Sequence, residues 1–215
     1  MIEGSNMLAR GTLLGAFVVL LLFCMSVLAP RASALSESER IGMEFRVGYS
    51  YQTLEDIGSG PGYGVRVLFV SPHKFSGYIG GQIYTSHGEP LGEVHEPGWS
   101  LIDAESTVYI MPAVIGATYV VHSNRKNLYF GGGPAWVTIH ERTKARFVSG
   151  DWVMTEWINN GASGPGVHMS LGARYLFSSR FSAFLEIEGL TSWIDFGREK
   201  KMNPRSVTLF TGIRF

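Results

Sequence analysis

The sequence predicts an all-β protein, an eight-stranded antiparallel up-and-down transmembrane β-barrel that follows a cleaved signal peptide. Three observations predict this fold class. Eight segments alternate apolar and polar residues with a period of two, which is typical of strands with one apolar face. The connections between these segments are alternately long and short. Aromatic residues gather at both ends of the apolar bands, as two membrane interfaces require.

The N-terminal segment is predicted to be a secretory signal peptide. Arg10 precedes an apolar run at residues 13–29, and Ala32-Ser33-Ala34 provides a cleavage site of small residues. The apolar run is also about as long as a short membrane-spanning helix, so an uncleaved anchor is the alternative. We expect a signal peptide at residues 1–34 and a barrel domain at residues 35–215.

The composition excludes several classes of protein. Charged residues make up 17% of the chain, aromatic residues 13%, and the net charge is zero, which is not the composition of a disordered chain. No basic cluster stands out apart from residues 198–201, so nucleic acid is not an expected partner. The only cysteine, Cys24, lies in the predicted signal peptide. We therefore expect the barrel to gain its stability from closure in lipid and not from disulfides.

Eight strands are predicted in order along the chain. The first and the sixth are the clearest, because one face of each is wholly apolar or aromatic and the other carries charged residues. The last alternates equally well, with Phe210 as the exception. In the third, the alternation does not indicate which face points outward, although Gln82 is expected to point into the barrel. The predicted strands are residues 41–52, 63–69, 75–85, 105–121, 127–140, 167–177, 181–188 and 206–215.

Two features interrupt the strand pattern. Pro112 cannot donate a hydrogen bond to a neighbouring strand and a closed barrel has no free edge, so we expect a β-bulge there. Gly131-Gly132-Gly133 allows sharp curvature or close packing of an interior side chain. A phosphate-binding loop is not indicated, because no Lys-Ser/Thr pair follows and no helix begins.

The connections indicate how the barrel is oriented. In an outer-membrane barrel the short turns lie in the periplasm and the long loops lie outside the cell. The long connections are predicted at residues 53–62, 86–104, 141–164 and 190–205, and the short ones at residues 71–74, 122–126 and 178–180.

The last strand ends on an aromatic residue, Phe215. In a soluble domain such a strand would be an exposed edge, whereas in lipid it closes a barrel. Here the chain resembles the outer-membrane β-barrel proteins of Gram-negative bacteria, whose last strand usually ends in Phe or Trp. Residues 41–215 resemble the small eight-stranded class, OmpA/OmpX-like. The resemblance implies a place in the bacterial outer membrane and recognition of the strand ending in Phe215 by the barrel-assembly machinery.

Aromatic residues are expected at both membrane interfaces. A soluble lipocalin-like barrel is the fold alternative, and it would turn the apolar face inward around a ligand. The interface residues we single out are Tyr49, Tyr51, Tyr63, Trp136, Tyr175, Phe177 and Phe215; Phe69, Phe75, Tyr119, Tyr129, Phe181 and Trp193 are expected in the same two belts.

The polar faces of the strands are expected to line the barrel interior. Eight strands enclose a space that side chains can just fill, and charges there must pair. We expect a salt-bridged network that fixes the shape of the barrel; a narrow path for small solutes or ions is the alternative. The network is predicted to contain Glu44, Arg46, Arg66, Gln82, His168, Arg174, Glu186, Glu188 and Arg214.

A second alternative is a lipid A-modifying hydrolase. His168 and Ser170 share one strand face, with Glu186 or Glu188 on the next strand, which resembles the His-x-Ser pair and Glu of the outer-membrane lipid A deacylases. Leu171 follows the serine where that family has Asn, and the alternation points His168 and Ser170 away from lipid. We therefore expect no catalysis, no cofactor and no metal.

The predicted role is structural or one of surface interaction. A monomeric barrel in outer-membrane lipid would display four long external loops to an extracellular ligand or surface. The fold alone does not specify which ligand that is.

Overall fold

The structure of the protein is a computed structural model. The residues it describes are 40–53, 57–70, 74–88, 90–91, 94–123, 125–178, 181–195 and 201–215. The predicted signal peptide and its cleavage site lie outside them. The chain divides into two compact units, Met1–Ile41 and Gly42–Phe215. Of the first unit, only Arg40 and Ile41 are described, as the first two residues of a strand. No helix among the described residues is long and apolar enough to span a membrane.

The described residues form ten strands: β1 (Arg40–Gln52), β2 (Gly60–Val70), β3 (Phe75–Gly88), β4 (Ser100–Ser123), β5 (Lys126–Ser149), β6 (Trp152–Leu176), β7 (Ser182–Ser192), β8 (Ile194–Asp195), β9 (Lys201–Met202) and β10 (Arg205–Arg214). Eight of them form a closed antiparallel barrel in the ring order β1-β10-β7-β6-β5-β4-β3-β2, which confirms the predicted fold class. The two short strands β8 and β9 pair separately within the last long connection.

The strands turn their apolar faces outward. On β1, Phe45 and Val47 are exposed, while Glu44 and Arg46, which alternate with them, are buried. The outer surface therefore consists of side chains that lipid solvates, and the interior holds the polar ones. The lipocalin-like alternative is wrong, because it requires the opposite facing.

The first and last strands close the barrel. Strands β1 and β10 pair from Glu44 opposite Arg214 to Gln52 opposite Ser206 without a shift in register. The backbone of Met43 continues the ladder with Phe215, through hydrogen bonds of 2.7 and 3.0 Å. The predicted closing strand thus leaves neither end of the sheet without a neighbour.

Three neighbouring strands are much longer than predicted. Strands β4, β5 and β6 contain 24, 24 and 25 residues, whereas a tilted strand crosses the hydrocarbon with about 9–11. About half of each therefore continues beyond the membrane band at the end of the long connections. We call this three-stranded sheet the extension; it comprises residues 100–111, 137–149 and 152–165.

The predicted long connection at residues 141–164 is wrong. These residues are paired in register along β5 and β6, from Glu141 opposite Asn160 to Ser149 opposite Trp152. The connection is a two-residue turn, Gly150-Asp151, and Gly150 has a φ of 58°. Glycine at the first position of a two-residue turn adopts this left-handed conformation without steric penalty. Three of the four predicted long connections therefore remain, and a β-hairpin takes the place of the third.

The predicted β-bulge at Pro112 is also wrong. Pro112 lies opposite Val137 in an unshifted register, and the only register shift between β4 and β5 lies between Leu101 and Asp103. Between β3 and β4 the same register continues on both sides of Pro112, at Tyr84–Ile110 and Gly81–Ala113. The proline therefore interrupts the ladder locally without moving the strand.

An apolar cluster closes the end of the barrel from which the extension projects. Ile57, Leu91 and Ile194 come from three different connections and are all buried. They belong to one cluster with residues on the inner face of the extension, among them Val108 and Val137. These connections therefore fold over the end of the barrel and shield the extension's inner face from water.

Amide hydrogen exchange should show that the extension is paired sheet. Residues 137–149 of the refolded protein in detergent should be protected as strongly as residues 126–136, because β5 pairs with both neighbours along its length. Residues 94–98, which lie outside the strands, serve as the fast-exchanging control. Exchange of residues 141–149 at the rate of that control would contradict the hairpin.

Candidate functional site

Two arginines and two glutamates form the centre of the interior. Arg46 Nη1 donates to Glu188 Oε2 at 3.2 Å, and Arg46 also donates to Glu186. Arg66 Nη1 donates to both carboxylate oxygens of Glu186, at 3.1 and 3.2 Å, and Arg66 also donates to Glu188. Each arginine thus binds both glutamates. We call these four residues the ion-pair cluster.

Further side chains complete the surroundings of the cluster. Gln82 Nε2 donates to Glu188 Oε2 at 3.2 Å, and the Tyr84 hydroxyl donates to Gln82. The Arg46 guanidinium lies 3.9 Å from the centroid of the Phe210 ring, and the Arg66 guanidinium 4.5 Å from that of Tyr78. Aromatic faces therefore cover the parts of both guanidinium groups that carboxylates leave free.

The strand alternation explains why these groups meet. Arg46, Arg66, Glu186 and Glu188 point inward from β1, β2 and β7, and each is at most 2% exposed. Charges removed from water to this degree destabilise a fold unless each is paired and hydrogen-bonded. The cluster balances two positive charges with two negative ones, so none of the four is left unpaired.

The three side chains of the alternative hydrolase hypothesis do not form a catalytic set. His168 is buried, and its Nε2 lies 2.6 Å from the Tyr78 hydroxyl. Glu186 is held by the two arginines of the cluster. Ser170 points into the interior, and its hydroxyl has no hydrogen-bond partner among the described residues. A nucleophile needs a base within hydrogen-bond reach, and these side chains do not provide that contact.

The remaining predicted interior residues lie nearer the short connections. Arg66 Nη1 is 3.9 Å from Glu44 Oε1. Arg174 and Arg214 are half-buried and line a cavity of about 10 Å³ together with Glu44. Such a cavity has room for about one water molecule. The ion-pair cluster lies next to it, so charged and aromatic side chains fill this part of the described interior.

The structure places the predicted interface aromatics on the outer surface. Phe215 stacks on Phe45 with ring centroids 5.6 Å apart, and Tyr175 meets Phe177 at 5.1 Å. Tyr129 does not belong to this surface, because its side chain is buried inside the barrel. The seven singled-out residues are between 40% and 61% exposed: Tyr49, Tyr51, Tyr63, Trp136, Tyr175, Phe177 and Phe215.

The extension carries a second set of exposed side chains, which sequence reasoning assigned to a loop. The Arg142 guanidinium lies 4.0 Å from the centroid of the Trp157 ring, and Lys144 lies opposite Trp157 on the neighbouring strand. Trp152, beside the turn of the hairpin, is 77% exposed. Trp157 and the two cationic residues thus share the outward face of the extension beyond the membrane band, whereas Trp152, five positions away in an unshifted strand, is exposed at the tip on the opposite face.

Glu141 stabilises the inner face of the extension by accepting hydrogen bonds from three other parts of the chain. Its carboxylate is buried and accepts hydrogen bonds from the Leu91 amide at 2.6 Å, the Ser106 hydroxyl at 2.8 Å and the Asn160 amide group at 3.2 Å. These donors come from a long connection, β4 and β6. The alternation of Val137, Ile139 and Glu141 with polar residues was the signal that would have placed Glu141 on a strand.

Comparisons of the sequence with protein-family models and with curated proteins give no match. Solved structures do resemble it. Neisserial surface protein A has a TM-score of 0.48 at 12% identity over 81% of this chain and 95% of that chain. The attachment invasion locus protein of Yersinia pestis, in complex with the heparin analogue sucrose octasulfate, has a TM-score of 0.41 at 12% identity over 81% and 99%. CarO of Acinetobacter baumannii has a TM-score of 0.41 at 12% identity over 81% and 96%.

The fold is that of the small eight-stranded outer-membrane β-barrels. The closed ring of strands, the outward apolar band and the polar interior are all features of this class. At identities this low the similarity to the solved structures concerns the barrel architecture alone.

Breaking the ion-pair cluster should destabilise the barrel. Arg66→Met leaves Glu188 and Glu186 with one arginine, so we expect a loss of about 3–5 kcal/mol in the free energy of unfolding. The double variant with Arg66→Met and Glu188→Leu should lose less free energy of unfolding than Arg66→Met alone. It removes one arginine and one glutamate together, so the charges that remain still balance. Urea unfolding in lipid vesicles measures these two variants and Glu188→Leu alone.

The control for this series is Arg205→Met, at an exposed position of β10. It should change the free energy of unfolding by at most about 0.5 kcal/mol. A loss in the double variant equal to the sum of the two single losses would contradict the paired arrangement.

The filled interior predicts an electrically silent barrel. Wild-type protein in a planar bilayer should give no steady single-channel current, because the cavity beside the cluster holds about one water molecule. Reproducible conductance that changes in Arg46→Ala would show that ions pass the cluster.

Proposed function

We propose that the protein is an outer-membrane barrel that contacts a partner outside the cell through its extension. The observation that carries this proposal is the apolar surface exposed beyond the membrane band. Lipid accounts for exposed aromatic residues within the band, but not for Trp152 and Trp157. Soluble surfaces rarely expose groups of large apolar side chains unless they bind something.

The composition of the extension supports protein or saccharide contact. Trp and Arg are the residues that most often dominate binding energy at interfaces, and Arg142 is already positioned over Trp157. Leu101 and Ile102 add exposed aliphatic groups to the same end of the extension.

The rigidity of the extension also supports this role. A binding surface on paired strands loses little conformational entropy when a partner binds, whereas a flexible loop loses more. The extension is paired along its length, and Glu141 ties it to a connection that covers its inner face. The packed barrel below then serves as an anchor, which is the structural part of the role.

We also infer that the protein is exported to the outer membrane and works there as a monomer. The outward apolar band needs lipid, and the closed ring leaves no barrel strand that requires another chain. The strand that ends in Phe215 completes this ring, which supports its recognition by the barrel-assembly machinery during closure.

Removing the two exposed tryptophans should weaken partner binding while the barrel stays folded. Bacteria displaying the wild-type protein should bind at least one member of a panel of immobilised matrix proteins and polysaccharides. Trp152→Ser combined with Trp157→Ser should weaken the binding of purified protein by about 30-fold, the loss of one interface hot spot.

Thr155→Ala is the matched control, because Thr155 is exposed on β6 between the two tryptophans. It should bind as the wild type does. The proposal would be falsified if no panel member bound above the level of bacteria without the protein, or if the double variant and the control bound equally.

A further inference from the structure

The end of the barrel that carries the short connections has a rim of basic side chains among the described residues. Lys74, Arg125 and Lys126 are exposed there. Glu44, the acidic residue of β1 nearest this end among the described residues, points into the interior and faces Arg66. In the sequence, the segments around the three short connections and the last four residues contain six Lys and Arg residues and no Asp or Glu, at residues 70–76, 121–127, 173–182 and 212–215, while Glu37 and Glu39 precede β1. Exposed basic side chains at this rim attract an anionic surface.

A groove lies in the outer wall of the barrel beside this rim. It has a volume of about 620 Å³, within the range of about 300–1,000 Å³ that ligand pockets occupy. Gly131-Gly132-Gly133 forms its floor on β5, Ala117 of β4 lies alongside, and Phe130 and Met169 are among its apolar walls. No charged side chain lines it.

The glycines explain why the wall is concave. A Cβ atom on Gly132 would lie 2.6 Å from the His168 carbonyl oxygen, and one on Gly133 2.2 Å from the Ile115 carbonyl oxygen. The neighbouring strands therefore approach β5 more closely than any side chain allows. Gly132 is the one of the three that faces outward, between the exposed Phe130 and Pro134, and its missing side chain leaves a depression among residues that otherwise project into lipid.

The length of the groove along β5 is comparable to the thickness of one leaflet's hydrocarbon layer. Phe130 is the fifth residue of β5 and Pro134 the ninth, so the groove extends about 13 Å along the strand at about 3.3 Å per residue. The hydrocarbon band around such barrels is about 25 Å tall. Because the strand is tilted by about 35–45°, the groove spans about 10 Å of the height of this band, and Phe75 and Tyr119 line its end beside the basic rim.

Lys74 connects the rim to the groove. The Lys74 Nζ lies 5.9 Å from the centroid of the Tyr119 ring, and Tyr119 lines the groove. The Val120 amide donates to the Lys74 carbonyl at 2.8 Å, which ties this turn to β4. A cation thus stands at the polar end of an apolar groove.

We propose that the groove binds one anionic phospholipid of the leaflet on the short-connection side. An acyl chain lies on the glycine floor, and the phosphate meets the Lys74 ammonium. Only lipid is available to a groove that opens within the hydrocarbon band, and the basic rim selects a headgroup with net negative charge. Arg125 and Lys126 extend the same positive field along the rim.

Native mass spectrometry of the refolded full chain tests this proposal. The protein is offered phosphatidylglycerol and phosphatidylcholine with identical acyl chains. One phosphatidylglycerol should be retained per barrel in preference to phosphatidylcholine. Lys74→Glu should lower its occupancy at least fivefold, since each basic residue near a membrane contributes about that factor.

Ala117→Phe tests the groove itself, because the ring fills the space beside the glycine floor. Phosphatidylglycerol occupancy should fall about tenfold. Ala173→Phe is the matched control, at an exposed outward position of β6 that does not line the groove, and Arg205→Glu is the charge control at the opposite end of the barrel. Both should retain the lipid as the wild type does. Ala117→Leu replaces Ala117→Phe if the latter lacks the heat-modifiable mobility of a folded barrel.

Two outcomes would overturn the proposal. Equal retention of the two lipids by the wild type would show that the rim does not select an anionic headgroup. Equal retention by the Ala117 variant and the Ala173 control would show that lipid binds elsewhere on the wall. Neither outcome bears on binding through the tryptophans of the extension, so the two proposals fail separately.

Discussion

The whole structure depends on one constraint: a peptide group in hydrocarbon must find its hydrogen-bond partner within the protein. The pairing of β1 with β10 meets this constraint, because it joins the first strand of the barrel to the last. The register between β1 and β10 also decides which side chains face lipid and which face the interior. A slip by one residue would move Glu44 and Arg46 into lipid and Phe45 into the interior. The apolar outer surface and the charged interior therefore both depend on the pairing of β1 with β10 in this register.

Closure of eight strands leaves a narrow interior, and this chain fills it in layers. The ion-pair cluster lies between the aromatic rings of Tyr78 and Phe210. Towards the extension the filling becomes apolar, with Ile57 and Leu91 in the same cluster as the inner face of the long strands. The interior thus supports the sheet that projects from it, and the surfaces available for recognition lie outside, on the extension and on the lipid-facing wall.

Much of the fold could be predicted from period-two alternation alone. It works best on β1 and β10, where lipid requires one wholly apolar face, and it also points to the residues that form the ion-pair cluster. It failed where no lipid faces the strand. Between Val137 and Phe147 the outward side chains include Arg142 and Lys144, so a paired strand resembled a polar loop. Facing was equally hard to predict for Tyr84 and Tyr129, because an aromatic ring suits both an interface and a hydrogen-bonded interior.

The ion-pair cluster has a consequence for how such a chain enters a membrane. Its arginines come from the two strands nearest the N-terminus of the barrel, and its glutamates come from β7, more than a hundred residues later. A partly inserted sheet that lacked β7 would present unpaired guanidinium groups to hydrocarbon. Sequential insertion of single strands is therefore disfavoured for this chain. The energetics favour a curled intermediate in which early and late strands already face each other around a wet centre, and water leaves that centre only when the last strand completes the ring.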